Sequence, residues 1–106
     1  MRILFDQGTP APLRHALTGH SVSTAYEMDW TELSNGSLLR AADVQFDALI
    51  TTDRNLRYQQ NIIGLRLAIL VLPTTNWLTI RLHAAQVAVA VAVLRPGDIV
   101  ELQFSQ

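Results

Sequence analysis

Cysteine is absent from this chain of 106 residues, and so is lysine. Without cysteine there can be no disulfide framework and no thiolate metal site, so zinc of the structural kind is not expected and a reducing cytoplasm fits. Charge is sparse too. Only 16% of residues are charged and the formal net charge is −1, which leaves no global basic field to draw in nucleic acid. Long hydrophobic runs are also missing. The stretch most open to a membrane reading, Leu82 to Leu94, is too short to span a bilayer and contains His83 and Gln86. The amino terminus has no charged-then-apolar leader, and no membrane partner is expected. Nor is there an internal repeat or low-complexity block. The 49% apolar content suits one globular domain over residues 1–106 with a modest core.

The apolar runs are short and regularly spaced. Arg2 to Phe5 is too brief for a helix and is bounded by Asp6-Gln7-Gly8, which predicts a strand. Thr9 caps and Pro10 opens a helix to about Leu17, since proline is favoured at the first helical position. Gly19 ends it. Ser21 to Ala25 alternates as a second strand. Glu27 to Asn35 has no clean period and reads as a loop, after which Ser34 or Asn35 caps a helix from Gly36 to about Gln45. Ala48 to Thr52 is a third strand, a polar helix follows Asp53, and Leu67 to Leu72 is a fourth strand, apolar throughout as for a strand covered on both faces. From Thr75 or Asn76 a single long helix to about Val93 is expected, with Leu78, Leu82, Ala85 and Val89 along one stripe. A helix apolar nearly all round must be covered on most sides, and in so small a domain part of that cover points to a second subunit, hence a homodimer. Arg95-Pro96-Gly97-Asp98 is a turn, and Ile99 to Phe104 an edge strand. Alternating strands and helices predict an α/β domain whose mostly parallel central sheet is flanked by helices in three layers.

Two aspartates occupy equivalent places in this plan: Asp6 ends the first strand and Asp53 the third. In open parallel sheets, ligands gather outside the carboxyl ends of the strands. If the two strands are neighbours, two carboxylates meet at one rim, where a divalent cation is their natural partner. Since Thr9 is the expected cap for its helix, the Asp6 carboxylate has no local structural task; Asp53 could instead cap the segment it opens. That segment, Arg54 to Asn61, is almost wholly hydrogen-bonding. Arg54 and Arg57 suit phosphate geometry and Tyr58 could stack on a base, although a solvated helix face would have the same composition. His15, His20 and His83 form no helical zinc motif, Gly8 and Gly36 read as turn and cap residues, and Trp30 and Trp77 as packing residues at a domain edge.

The motifs, taken in order, resemble the small PIN-like domains related to toxin ribonucleases. Such domains open with a strand ending Asp-Glu-Asn, then one residue and proline, which Asp6-Gln7-Gly8-Thr9-Pro10 resembles. Gly19-His20-Ser21-Val22 matches their Gly-His-x-Val entry into the second strand. Ser34-Asn35 is similar to their Ser-Asp helix cap, and Thr51-Thr52-Asp53-Arg54-Asn55-Leu56 to their Thr-x-Asp-x-Asp-Phe rim.

The resemblance implies a nuclease fold dependent on Mg2+ or Mn2+, often encoded as a toxin beside an antitoxin, with RNA as substrate and a cognate antitoxin protein as partner. It implies Asp6 and Asp53 as metal-holding, catalytic residues, with Asn35, Arg54, Asn55 and Arg57 assisting at the substrate. Gln7, Asn35 and Asn55 stand where the family pattern carries acids. Each lost negative charge removes ~4 kcal/mol of attraction per unit of cation charge, at a separation of ~4 Å and an effective dielectric of ~20, so metal affinity is expected to be weak. Magnesium is nevertheless often held by one or two carboxylates with waters and substrate phosphates. The alternative is a catalytically inactive domain of the same fold that binds RNA or protein.

Overall fold

The computed structural model describes residues 1–58, 62 and 64–104, apart from the side chain of Arg57. Five strands, β1 (Arg2–Phe5), β2 (Ser21–Thr24), β3 (Ala48–Thr51), β4 (Ala68–Val71) and β5 (Ile99–Glu101), form one sheet in the order β2-β1-β3-β4-β5. Every pairing is parallel. The helices are α1 (Asn35–Gln45), α2 (Trp77–Leu82) and α3 (Ala84–Ala92), joined by 3-10 helices at Ala11–Ala16 and Leu56–Tyr58.

Strand residues alternate between two cores, as the pleat requires. Ile3, Phe5, Ala48, Ile50, Ala68 and Leu70 face the layer made by the first 3-10 helix, α2 and α3, where Leu13, Leu17, Ile80, Val87 and Val91 meet them. Leu4, Leu49, Ile69 and Val71 point the other way, onto Leu38, Leu39 and Ala42 of α1 and Phe46 at its C-cap. The result is a three-layer α/β domain with a Cα radius of gyration of 12.5 Å, close to the ~13 Å of a compact chain of this length. No described helix is long and apolar enough to cross a membrane.

Three helix expectations need correction. The segment after Pro10 is a 3-10 helix, not an α-helix, and Pro10 itself stands at the cap position with no side-chain cap bond. The Thr9 hydroxyl is engaged elsewhere, as described below. After Asp53 the described helical structure is of the 3-10 kind, at Leu56–Tyr58 and again at Ile62, and residues 59–61 of the expected polar helix lie outside the described residues. The long C-terminal helix is two helices. Asn76 caps the first, its side chain accepting the Thr79 N–H at 3.2 Å. The break falls at His83, with φ −115° and ψ 20°, where Nδ1 sits 2.9 Å from the Thr79 carbonyl oxygen and the ring stacks on Phe104 at 4.5 Å. The buried stripe is accordingly Ile80, Val87 and Val91, while Leu78, Leu82, Ala85 and Val89 face outward.

α1 is capped by Ser34, whose hydroxyl accepts the Ser37 N–H at 3.3 Å. Further along α1, Asp43 Oδ1 accepts the Leu67 N–H at 2.8 Å, pinning the entry to β4.

Candidate functional site

From β1 the chain steps to one side for β2, then returns past β1 to lay down β3 on the other side. The strand order reverses there, and the crevice at the carboxyl ends of β1 and β3 is where open parallel sheets place ligands. Phe5 is level with Ile50 in the register, and the Asp6 N–H continues the ladder by donating to the Ile50 carbonyl at 3.2 Å. Asp6 therefore stands at the rim opposite Thr51, with Asp53 two residues further along.

A cavity of about 260 Å³ opens on this rim, with Asp6, Asp53, Asn35, Gln7, Gly8 and Thr52 among its lining residues and Trp30, Thr31 and Leu33 of the β2–α1 loop on its far side. Gln7 ties loop to rim, its Nε2 donating to the Thr31 carbonyl at 3.2 Å. Asn35, in the first turn of α1, turns its Nδ2 to Asp53 Oδ2 at 3.3 Å, leaving its carbonyl oxygen as an acceptor.

Two threonines hold Asp6. Thr51 Oγ1 donates to Asp6 Oδ2 and, in turn, accepts the Asp53 N–H at 3.0 Å. Thr9 Oγ1 lies 2.7 Å from Asp6 Oδ1 and 2.9 Å from the Ile50 carbonyl oxygen, two acceptors for its single proton. Burial pushes the Asp6 carboxyl above its ordinary range, while the hydroxyls of Thr51 and Thr9 and the backbone of Gly8 and Thr9 draw it back only in part. Asp53 has the looser setting. Its Oδ1 accepts the Asn55 N–H at 3.0 Å, closing the turn that opens the Leu56–Tyr58 helix.

Gly8 is required for more than a turn. A Cβ there would collide with Thr52 Oγ1, so glycine is what lets the β1 and β3 rim segments approach each other closely.

Asp6, Asp53 and Asn35 thus share one cavity. The remaining expected residues do not join them. Arg54 points away: its Nη2 donates to the Pro73 carbonyl at 2.6 Å and its side chain lines a separate cleft with Glu101 and Gln103. Asn55 is exposed and bound to the rim through its backbone N–H. The Arg57 side chain lies outside the described residues. Thr9, Thr51 and Gly8 went unread as site residues, although a Thr-Thr pair before Asp53 and a threonine three places after Asp6 were the available signals.

A divalent hard cation fits the chemistry of this donor set, which is all oxygen. An ionised carboxylate has about four lone-pair positions; on Asp6 the hydroxyls of Thr51 and Thr9 and the backbone of Gly8 and Thr9 already engage it, so a cation there would have to displace part of that shell. Hydrogen-bonded support of this kind is also what metal-ligating carboxylates carry. The set is small, however, and the described residues contain no group of three or more His, Cys, Asp or Glu side chains that could hold a metal. The protein could supply two carboxylates and one amide oxygen, with water and phosphate completing the shell.

Comparison of the chain with protein-family models, with curated proteins and with solved structures gave no match.

Proposed function

We propose that this chain is a PIN-like domain of the toxin ribonuclease type whose rim binds Mg2+ or Mn2+ weakly and acts on an RNA phosphodiester. The observation that carries the proposal is the convergence of Asp6 and Asp53, from adjacent parallel strands, on one cavity at the point where the strand order reverses. Asp6 would supply the anchored carboxylate, held in place by Thr51 and Thr9. Asp53 would supply the second, with Asn35 orienting it through Nδ2 and offering its own carbonyl oxygen. The bound cation would offset charge on the phosphoryl group under attack. With three acids of the family pattern replaced, the substrate phosphate is itself needed to complete the ion's shell, so metal and RNA are expected to bind cooperatively. A cognate antitoxin protein is the partner this class implies.

A second reading, a catalytically inactive domain that binds RNA or protein through the same rim, is favoured by one observation: every oxygen of Asp6 and Asp53 already accepts a hydrogen bond from within the chain. One pair of experiments separates the two. Mn2+ titrated into labelled protein should broaden the amide signals of Asp6, Asp53 and Asn35 selectively, and Asp53→Asn should abolish both that effect and Mg2+-dependent cleavage of single-stranded RNA. RNA binding without cleavage, at saturating Mn2+ and Mg2+, would select the inactive module. A rim that ignores millimolar Mn2+ with RNA present would end the metal-dependent proposal.

A further inference from the structure

The rim cavity of about 260 Å³ has room for a cation, its waters and a phosphate, but it is smaller than the roughly 300–1,000 Å³ of sites that enclose an organic ligand. A second cavity, of about 990 Å³, adjoins it at the carboxyl end of β2, and Asp6, Gln7 and Thr31 line both. One wall of the larger cavity is the start of the first 3-10 helix, with Pro10, Ala11 and Pro12. The other is the end of β2 and the loop after it, with Thr24, Tyr26 and Glu27. Two ties brace the walls. Arg14 grips Glu27 with both terminal nitrogens, at 2.8 and 3.2 Å, and the Gln7 amide donates to the Thr31 carbonyl at 3.2 Å. Glu27 is also locked from its own side: its Oε1 accepts the Thr24 N–H at 2.9 Å, and its N–H donates to Thr24 Oγ1 at 3.1 Å. The cavity is thus formed before anything enters it, which relieves a ligand of the cost of ordering it.

We infer that this cavity receives an unpaired nucleobase, belonging to the nucleotide whose phosphate lies at the rim, and that the base stacks on Tyr26. The inference rests on the proposed function for the identity of its ligand, an RNA strand, and adds where the base goes. Tyr26 is 83% exposed, and its side chain has no hydrogen bond, ion pair or ring contact among the described residues. Neither core packing nor a polar partner therefore accounts for an aromatic ring at this place. A free aromatic face is the platform on which bases of any sequence stack, and the prolines of the opposite wall give the far side of the ring a rigid apolar surface. Charge decides against the phosphate itself as occupant. Among the lining side chains Arg14 is engaged by Glu27, His15 is counted neutral and Asp6 is negative, so an anion is repelled and a neutral ring is not. For the polar edge of the base, the Glu27 carboxylate keeps one of its about four lone-pair positions, and the Thr24 hydroxyl keeps its own proton to donate. One acceptor and one donor do not discriminate strongly among bases. Purines, with the larger stacking face, should lead.

The probe is AMP, with ribose phosphate as the same molecule without its base. Titrated into the labelled whole chain without divalent metal, up to about 10 mM because a single stacked nucleotide binds near millimolar strength, AMP should shift the amide signals of Ala11, His15, Thr24 and Tyr26. Ribose phosphate should leave them in place. Tyr26→Ala should weaken AMP binding about tenfold or more, as removal of a stacking ring does, while Tyr26→Phe should retain it. Unchanged amide signals from the core strands will show that the alanine variant is folded. Asp53 does not line this cavity, so Asp53→Asn should bind AMP as the wild type does. AMP binding of this kind in a chain whose rim takes no metal and cleaves no RNA would uphold the base pocket and end the rim proposal alone. No amide shift with AMP, equal shifts with ribose phosphate, or a Tyr26→Ala chain that binds as the wild type does would each overturn the base pocket and leave the rim proposal standing.

Discussion

The Thr51 hydroxyl donates to the Asp6 carboxylate while accepting the Asp53 N–H, so one side chain couples the two acids of the rim. Thr51 is itself buried, and removing its hydroxyl takes a hydrogen-bond partner from each of two half-buried groups. Thr51→Val, nearly identical in shape, is expected to cost about 1–3 kcal/mol by urea unfolding, the range for orphaning a buried polar group. It should also push the Asp6 carboxyl higher still, read by carbon NMR of that side chain. Loss of stability with no movement of Asp6 would mean the hydroxyl matters only to the Asp53 turn.

Asp6 makes stability depend on pH. Its native value lies above the ordinary 3.8 because burial dominates. As pH rises through that ordinary value the unfolded chain releases its proton first, while the native state still holds one. Stability should therefore fall with rising pH from the ordinary value up to the native one, then level off. Asp6→Asn removes this slope. The amide can donate to Thr9, which is then free to give its proton to the Ile50 carbonyl. The difference in urea midpoint between wild type and Asp6→Asn, followed from about pH 3.5 to 7, should grow in favour of the variant; a difference constant across that range would contradict a desolvated carboxylate.

Gly8 and Thr52 should behave as a coupled pair. Gly8→Ala drives a methyl group into Thr52 Oγ1 and is expected to cost about 1–3 kcal/mol, as overpacking does. The nearest remaining atom, Thr52 Cβ, would sit 3.8 Å away, an ordinary contact. Thr52→Ala should therefore restore most of the loss, giving a favourable coupling in a double-mutant cycle. Additive effects would place the strain elsewhere.

The strands were legible because their short apolar runs end in strong punctuation: Asp6-Gln7-Gly8 after β1 and Pro73 after β4. Their adjacency was not. That Asp6 faces Thr51 follows from β3 returning past β1, a tertiary choice with no local signal. The long C-terminal helix was misread because nothing in the Val-Ala tract marks the break; it comes from His83 turning to Thr79 and stacking on Phe104, a residue on the far side of β5. Periodicity grouped Leu78, Leu82, Ala85 and Val89 on one stripe, but in a helix apolar nearly all round it gave no sign that this stripe faces outward while Ile80, Val87 and Val91 are buried. Thr9 was assigned to capping because propensity ranks it so; in the fold a buried carboxylate makes the stronger claim on its proton.

The partner that holds Asp6 lies 45 positions downstream. A ribosome making this chain thus releases the acid long before the hydroxyl that steadies it, and no hairpin can form a provisional sheet meanwhile, since every strand pairing is parallel and each needs a crossover. The rim cannot assemble in a nascent chain that has not yet cleared Thr51. Until β3 is made, Asp6 stands without the hydroxyl that holds it and without the second carboxylate beside it.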